Sequence, residues 1–107
     1  MKLPAKIQFV NKNLKNEFGK LSDKDFIQKF LLIAFIHIQE NAFCGIQIPK
    51  QLIPKEYKQK YDLKNLWKYN LPNGWRLLYS ITRDEILVIA IIIEWMDHKD
   101  YEKKLKY

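Results

Sequence analysis

Cysteine, glycine, histidine and arginine are all scarce in this 107-residue chain, and each scarcity excludes something. Cys44 is the single cysteine, so neither an intrachain disulfide nor a cysteine-rich zinc site can form, and a reducing cytosol is the expected compartment. With only Gly19, Gly45 and Gly74, there is no glycine loop to cradle a phosphate. The two histidines, His37 and His98, are too few to build a metal site on imidazoles. Long apolar runs are missing too. The longest, Ile86 to Ile93, has eight residues, against the ~20 needed to span a bilayer. The N-terminal segment lacks the apolar stretch of a signal peptide. A cytoplasmic protein with no membrane partner, no metal and no cofactor is expected.

What is abundant is lysine and apolar side chain. Apolar residues make up 48% of the sequence and aromatics 14%, enough to fill one core and to exclude disorder of the whole chain. One domain over residues 1–107 is expected from the length. The formal charge is +7, and seventeen of the nineteen cations are lysines. Such an excess favours a polyanionic partner, nucleic acid first and anionic membrane second. Plain solubility is the alternative, because lysine is a common surface residue.

Lys6 to Val10 alternates polar and apolar residues and predicts a short half-buried strand. Asn11 is placed to cap a helix bearing Leu14 and Phe18 on one face, with Gly19 placed to stop it. Ser22 and Asp25 form a variant capping box for a second helix. Its apolar positions, Phe26, Ile27, Phe30, Leu31, Ala34, Phe35 and Ile38, widened by Leu32, Ile33 and Ile36, predict deep burial up to Asn41.

Pro49 and Pro54 forbid a long helix across residues 46–55, so residues 43–62 read as a loop with at most a helical turn near Glu56 to Lys60. Asn65 to Leu71 reads as a strand ended by the Pro72-Asn73-Gly74 turn. Trp75 to Thr82 follows, with Trp75, Leu77, Tyr79 and Ile81 on one face and Arg76, Leu78, Ser80 and Thr82 on the other. After a turn at Arg83-Asp84-Glu85, the run Ile86 to Trp95 is apolar enough to be a central strand covered on both faces. Asp97 to Tyr107 is polar and adds at most a last helical turn or two. Helices grouped before the strands give an α+β class: an N-terminal strand and helical hairpin packed on a small, twisted, mainly antiparallel sheet.

The segment Asn65-Leu66-Trp67-Lys68-Tyr69-Asn70-Leu71-Pro72-Asn73-Gly74-Trp75-Arg76-Leu77-Leu78-Tyr79 resembles one family. Its arginine-bearing strand of the form W-R-L-x-Y, the apolar strand Ile86 to Trp95, the closing His98-Lys99-Asp100-Tyr101 and the loop Asn41 to Lys50 are similar to the RelE/ParE toxin superfamily. The likeness is greatest to its small archaeal and mobile-element members. The resemblance follows element order over nearly the whole chain and is densest over residues 41–101.

It implies the toxin of a type II toxin–antitoxin system, held silent by a cognate antitoxin. RelE-like members cut messenger RNA on the ribosome without a metal. ParE-like members poison DNA gyrase, and a degenerate member would only bind its antitoxin.

Metal-free RNA cleavage requires a base for the 2′-hydroxyl, cations for the phosphorane and an acid for the leaving oxygen. Arg76, at the family's strand-arginine position, is the candidate for the charge, since its fork grips two phosphate oxygens. The alternative is an ordinary surface arginine paired with Asp84 or Glu85. His98 and Tyr101 are the candidates for proton transfer, or else His98 is incidental and Tyr101 packs on the sheet. Lys64, Lys68 and Lys99 are candidates for holding the RNA backbone, with Lys64 and Lys68 expected on one strand face.

The chain departs from the family pattern in having only Arg76 and Arg83, and no acidic residue between Leu63 and Leu71. That leaves Glu94, the sole carboxylate on the apolar strand, as the candidate base or as a residue at an exposed strand end. His37 reads as a structural histidine and Cys44 as a packed one.

Overall fold

The computed structural model describes residues 2–84 and 86–105. Five strands, β1 (Lys6–Phe9), β2 (Ile46–Gln47), β3 (Trp67–Asn70), β4 (Arg76–Arg83) and β5 (Val88–Met96), form one sheet in the order β1-β5-β4-β3-β2. β1 runs parallel to β5, and every other pair is antiparallel. The helices are α1 (Lys12–Lys20), α2 (Phe26–Glu40), α3 (Lys55–Tyr61) and α4 (His98–Leu105). The class is α+β, as the sequence implies. Among the described residues, no helix is long and apolar enough to cross a membrane.

The chain reverses out of β1 because the Asn11 side chain accepts the Leu14 amide at 2.9 Å, capping α1. Gly19 does not end that helix. It is helical itself, and α1 stops only at Lys20, where Leu21 turns extended. The expected box also forms one turn early. The Asp25 carboxylate accepts the Ser22 amide at 2.8 Å, but this turn precedes α2, which starts at Phe26.

From there Ile27, Leu31, Ala34, Phe35 and Ile38 pack down on the sheet beside Leu77, Tyr79, Ala90 and Ile92. Phe18 completes this layer, with ring centroids 5.4 Å from Phe35, 5.6 Å from Phe9 and 6.3 Å from Trp95. The expectation that Leu32, Ile33 and Ile36 widen the buried face of α2 fails. Leu32, Ile33 and Ile36 are exposed, because only one stripe of the helix meets the sheet.

The other face of the sheet is also covered, as the apolar run of β5 requires. Residues read as loop and tail supply the cover. α3 spans seven residues and is closed by Asp62 in the left-handed conformation (φ 51°). α4 spans eight residues, about two turns, as the polar tail allows. Tyr57, Tyr101 and Leu105 from these helices pack with Ile53, Leu66, Leu78, Ile93 and Met96. The result is three layers: α1/α2, sheet, α3/α4.

β2 was likewise absent from the sequence reading, since two residues carry no periodicity. It pairs with β3 through Ile46 and Gln47. Gly45 is required just before it, because a β-carbon there would lie 2.5 Å from the Lys68 carbonyl oxygen. β3 begins at Trp67 rather than Asn65. The Asn65 side chain substitutes for backbone, bonding the Ile81 amide and carbonyl, each at 2.8 Å. β5 begins at Val88 rather than Ile86, which is 90% exposed in the turn after β4.

Candidate functional site

Arg76 opens β4, opposite Asn70 of β3 and Met96 of β5, on the face covered by α4. The turn that precedes it places Asn73 (φ 62°) and Gly74 (φ 79°) in left-handed conformations, which Asn and Gly tolerate best. Tyr101, one turn into α4, is pressed against this start of the strand and is 2% exposed. Its ring centroid lies 5.5 Å from the Arg76 guanidinium carbon and 5.3 Å from Lys68 Nζ. Two cations thus share one aromatic ring, a cation–π arrangement that holds positive charge at a defined place.

The Arg76 guanidinium is poorly satisfied within the protein. Nη1 donates to the Trp75 carbonyl at 3.2 Å. Nε is buried and has no hydrogen-bond partner among the described residues. The alternative pairing with Asp84 does not occur. Asp84 follows the far end of β4, about 25 Å away at the rise of an extended strand. Glu85 lies outside the described residues. Arg76 is half-buried, so its accessible part keeps the arginine fork's capacity to grip an anion, whereas the buried Nε is an unpaired donor that no anion reaches without a shift of the side chain.

His98 opens α4 against the turn before Arg76. A β-carbon added to Gly74 would come within 3.3 Å of His98 Cβ, so the first turn of α4 rests on the turn that leads into Arg76. His98 Nε2 lies 2.8 Å from Glu102 Oε1, both side chains being half-exposed. Glu102 is thus the imidazole's partner, a residue that the sequence reading does not single out. The i, i+4 spacing of the pair was the signal.

Arg76, Lys68 and Tyr101 are brought together, and His98 lies against Gly74 at the start of α4. Lys99 follows His98 on α4 and is solvent-exposed. Lys64 does not share a strand face with Lys68. It lies three residues before β3 begins, where the two-residue alternation does not reach. Tyr101, deeply packed, cannot stack on a nucleobase unless α4 moves.

Glu94 belongs to a different group. The β4–β5 register pairs Leu78 with Glu94 and Tyr79 with Ile92, leaving Ile93 as a bulge. The bulge turns Ile93 and Glu94 to the same side, which takes the carboxylate out of the α1/α2 core. There Glu94 accepts a short hydrogen bond from the Tyr57 hydroxyl and a bond from Lys104 Nζ at 3.2 Å. Lys104 also reaches Glu56 at 3.0 Å. Held by two partners, Glu94 is neither an unpaired base nor an exposed strand end. Beside it a cleft of about 910 Å³ opens between α3 and α4, with Glu56, Asp97, Asp100, Lys55, Lys103 and Lys104 on its walls. Its mixed charge makes it a poor anion funnel.

This cluster sets an alkaline limit on stability. Burial, reinforced by the bond to Glu94, pushes the Tyr57 phenol far above its ordinary 10.0. For Lys104, burial alone lowers the pKa, but the bonds to Glu56 and Glu94 outweigh it and the net shift is upward. Both groups bind their proton more tightly folded than unfolded. Their stabilisation is therefore complete below the unfolded values of 10.0 and 10.5 and is lost as pH rises through the folded ones. Melting temperatures measured from pH 7 to 12 are expected to stay level up to about pH 9.5 and to fall beyond it. Tyr57→Phe should blunt that fall, whereas a melting temperature that climbs above pH 10 would contradict the assignment.

Cys44 is exposed rather than packed, although partial burial of its thiol raises the pKa and keeps it protonated. His37 is exposed and structural, with Nδ1 2.6 Å from the Tyr69 hydroxyl. Among the described residues no group of three or more His, Cys, Asp or Glu side chains is gathered closely enough to hold a metal ion. No family model matches this chain, and no curated protein or solved structure matches it either.

Proposed function

We propose that this protein is the toxin of a type II toxin–antitoxin system, a RelE-like, metal-independent and ribosome-dependent messenger RNA endonuclease. One observation carries the reading. Arg76, at the strand position that the family resemblance marks, stands half-buried with Lys68 over the ring of Tyr101. In this reading Arg76 meets the scissile phosphate and stabilises the charge that grows on it. His98, oriented by Glu102, moves a proton at the 2′-hydroxyl or the leaving oxygen. Lys68 and Lys99 hold the flanking backbone, and Lys64 contributes only long-range attraction. The cognate antitoxin, an acidic or amphipathic chain, covers this basic surface. A cytoplasmic setting with messenger RNA and the ribosome as partners follows from the same proposal.

A second reading is favoured by the burial of Tyr101 and by the capture of Glu94. Two of the groups a nuclease could use are occupied in packing and in an ion pair. The protein would then be a ParE-like gyrase inhibitor or a catalytically degenerate binder of its antitoxin.

Induced expression separates these readings. The nuclease stops growth and protein synthesis without a DNA-damage response. The gyrase inhibitor stops growth with that response and with translation intact. Undiminished growth at full expression leaves the degenerate binder.

A further inference from the structure

The outer face of α2 carries an apolar stripe that the fold leaves open. Ile27, Leu31, Ala34, Phe35 and Ile38 face the sheet, so at 100° per residue Lys29, Ile33, Ile36 and Glu40 point directly away from it. Ile33 is 41% exposed, Ile36 53%, and Leu32 on the flank of the stripe 44%. Exposed side chains of this size on adjacent turns make a contiguous patch, which a monomer seldom leaves uncovered. Lys29 and Glu40 close the two ends of the stripe. Neither makes an ion pair or a side-chain hydrogen bond among the described residues.

We infer that this face joins a second copy of the same chain in an antiparallel, two-fold α2–α2 contact. The order of residues in the stripe is self-complementary. A two-fold axis midway between Ile33 and Ile36 sets residue i against residue 69−i of the other copy. Ile33 then meets Ile36 of the partner subunit, and Lys29 meets Glu40 of the partner subunit. The reciprocal pairs form by symmetry.

Lys29 and Glu40 are separated by eleven residues, about 16 Å along the helix, and the antiparallel partner presents them at the same spacing with the signs exchanged. A partner of unrelated sequence would give no reason for a cation at one end and an anion equidistant at the other. The contact thus has an apolar centre of four isoleucines, flanked by Leu32 of each copy, and an ion pair at each end. This is the division of a protein interface into dry core and polar rim.

A single pair of helices is a small interface, so the dimer is weak and depends on concentration. It forms on the α1/α2 side of the sheet, whereas Arg76 lies on the α4 side. Both copies therefore keep the Arg76 site open.

Sedimentation equilibrium over a wide concentration range tests the inference. The wild-type protein should move from the 13.0-kDa chain mass towards twice that value. Ile36→Glu should hold it monomeric, with an unchanged circular dichroism spectrum because the side chain is outside the core. Lys29→Glu and Glu40→Lys should each weaken the dimer by roughly 10-fold, since each replaces two attractions by two repulsions. The double variant Lys29→Glu/Glu40→Lys should return it to within roughly threefold of wild type. A chain monomeric up to ~1 mM would overturn the inference and leave the face to an unlike partner, because at that concentration even a weak contact is populated. A dimer indifferent to Ile36→Glu, or a double variant as weak as its parents, would overturn it too.

Discussion

Arg76→Ala is expected to lower RNA cleavage by a factor of roughly 10²–10³ and to abolish growth inhibition on induction. That is the range seen when one preorganised donor to a developing negative charge is removed. The fold should tolerate the change. Arg76 spends one hydrogen bond on its neighbour's carbonyl and leaves Nε unsatisfied. Truncation therefore removes a buried donor that the protein itself does not pair. The loss is the cation–π contact with the buried Tyr101 ring, worth about 1–2 kcal/mol.

Arg76→Lys is the sharper variant. It keeps the charge near the Tyr101 ring but replaces a planar fork by a single ammonium, so cleavage should stay well below wild type. Thermal melting run beside the cleavage assay separates a lost function from a lost fold. An Arg76→Ala protein that cuts RNA as wild type does would remove Arg76 from the reaction.

The second large effect is on stability. Tyr79→Phe is expected to cost about 2–4 kcal/mol, although it deletes a single oxygen atom. That hydroxyl donates to the Ala42 carbonyl at 2.7 Å and accepts the Gly45 amide at 3.1 Å. Tyr79 and Ala42 are both fully buried. Without the hydroxyl, a carbonyl and an amide in the turn before β2 lose their partners, each at the cost of an unpaired buried group. The ring would still stack against Trp67, with centroids 6.3 Å apart, so packing is kept and the hydrogen bonds alone are tested.

The melting temperature should drop by roughly 10–20 °C at the few degrees per kcal/mol expected of a chain this size. Amides of β2 should also exchange faster than those of β4 and β5. A drop of less than about 2 °C would mean that the turn is satisfied by other means.

Sequence periodicity made the centre of this fold legible. The alternation in Trp75 to Thr82 correctly divided β4 into two faces, and the apolar run beginning at Ile86 became the strand flanked by β1 and β4. Asn11 was legible as a cap because its mechanism is local. What stayed hidden depended on contacts made at long range. β2 exists because β3 lies beside it, not because Ile46 and Gln47 prefer extended backbone. α3 and α4 are short and polar on one side, and they are held by Tyr57, Tyr101 and Leu105 against a sheet face whose need for cover is legible in β5 but whose covering segments are not.

Glu94 was legible as an anomaly, a carboxylate in an apolar strand. Its resolution needed a bulge at Ile93 and partners on two helices. Gly19 misled because a glycine near a helix end is permitted, not required, to stop it. The apolar width of α2 misled because exposed isoleucines look like core when only the sequence is read.

Arg76, Tyr101 and Lys68 were chosen from residue chemistry and family resemblance, and they share one place in the structure. Lys64 and Glu94 were chosen on the same grounds and lie apart from it.

The most direct test of the proposed activity is to map messenger RNA ends after induced expression, for the wild-type protein beside the Arg76→Ala/His98→Ala double variant, which leaves the buried Tyr101 in place. New ends within translated codons that vanish in the variant are the predicted result. Intact messages in cells whose growth the wild-type protein has arrested would contradict the nuclease.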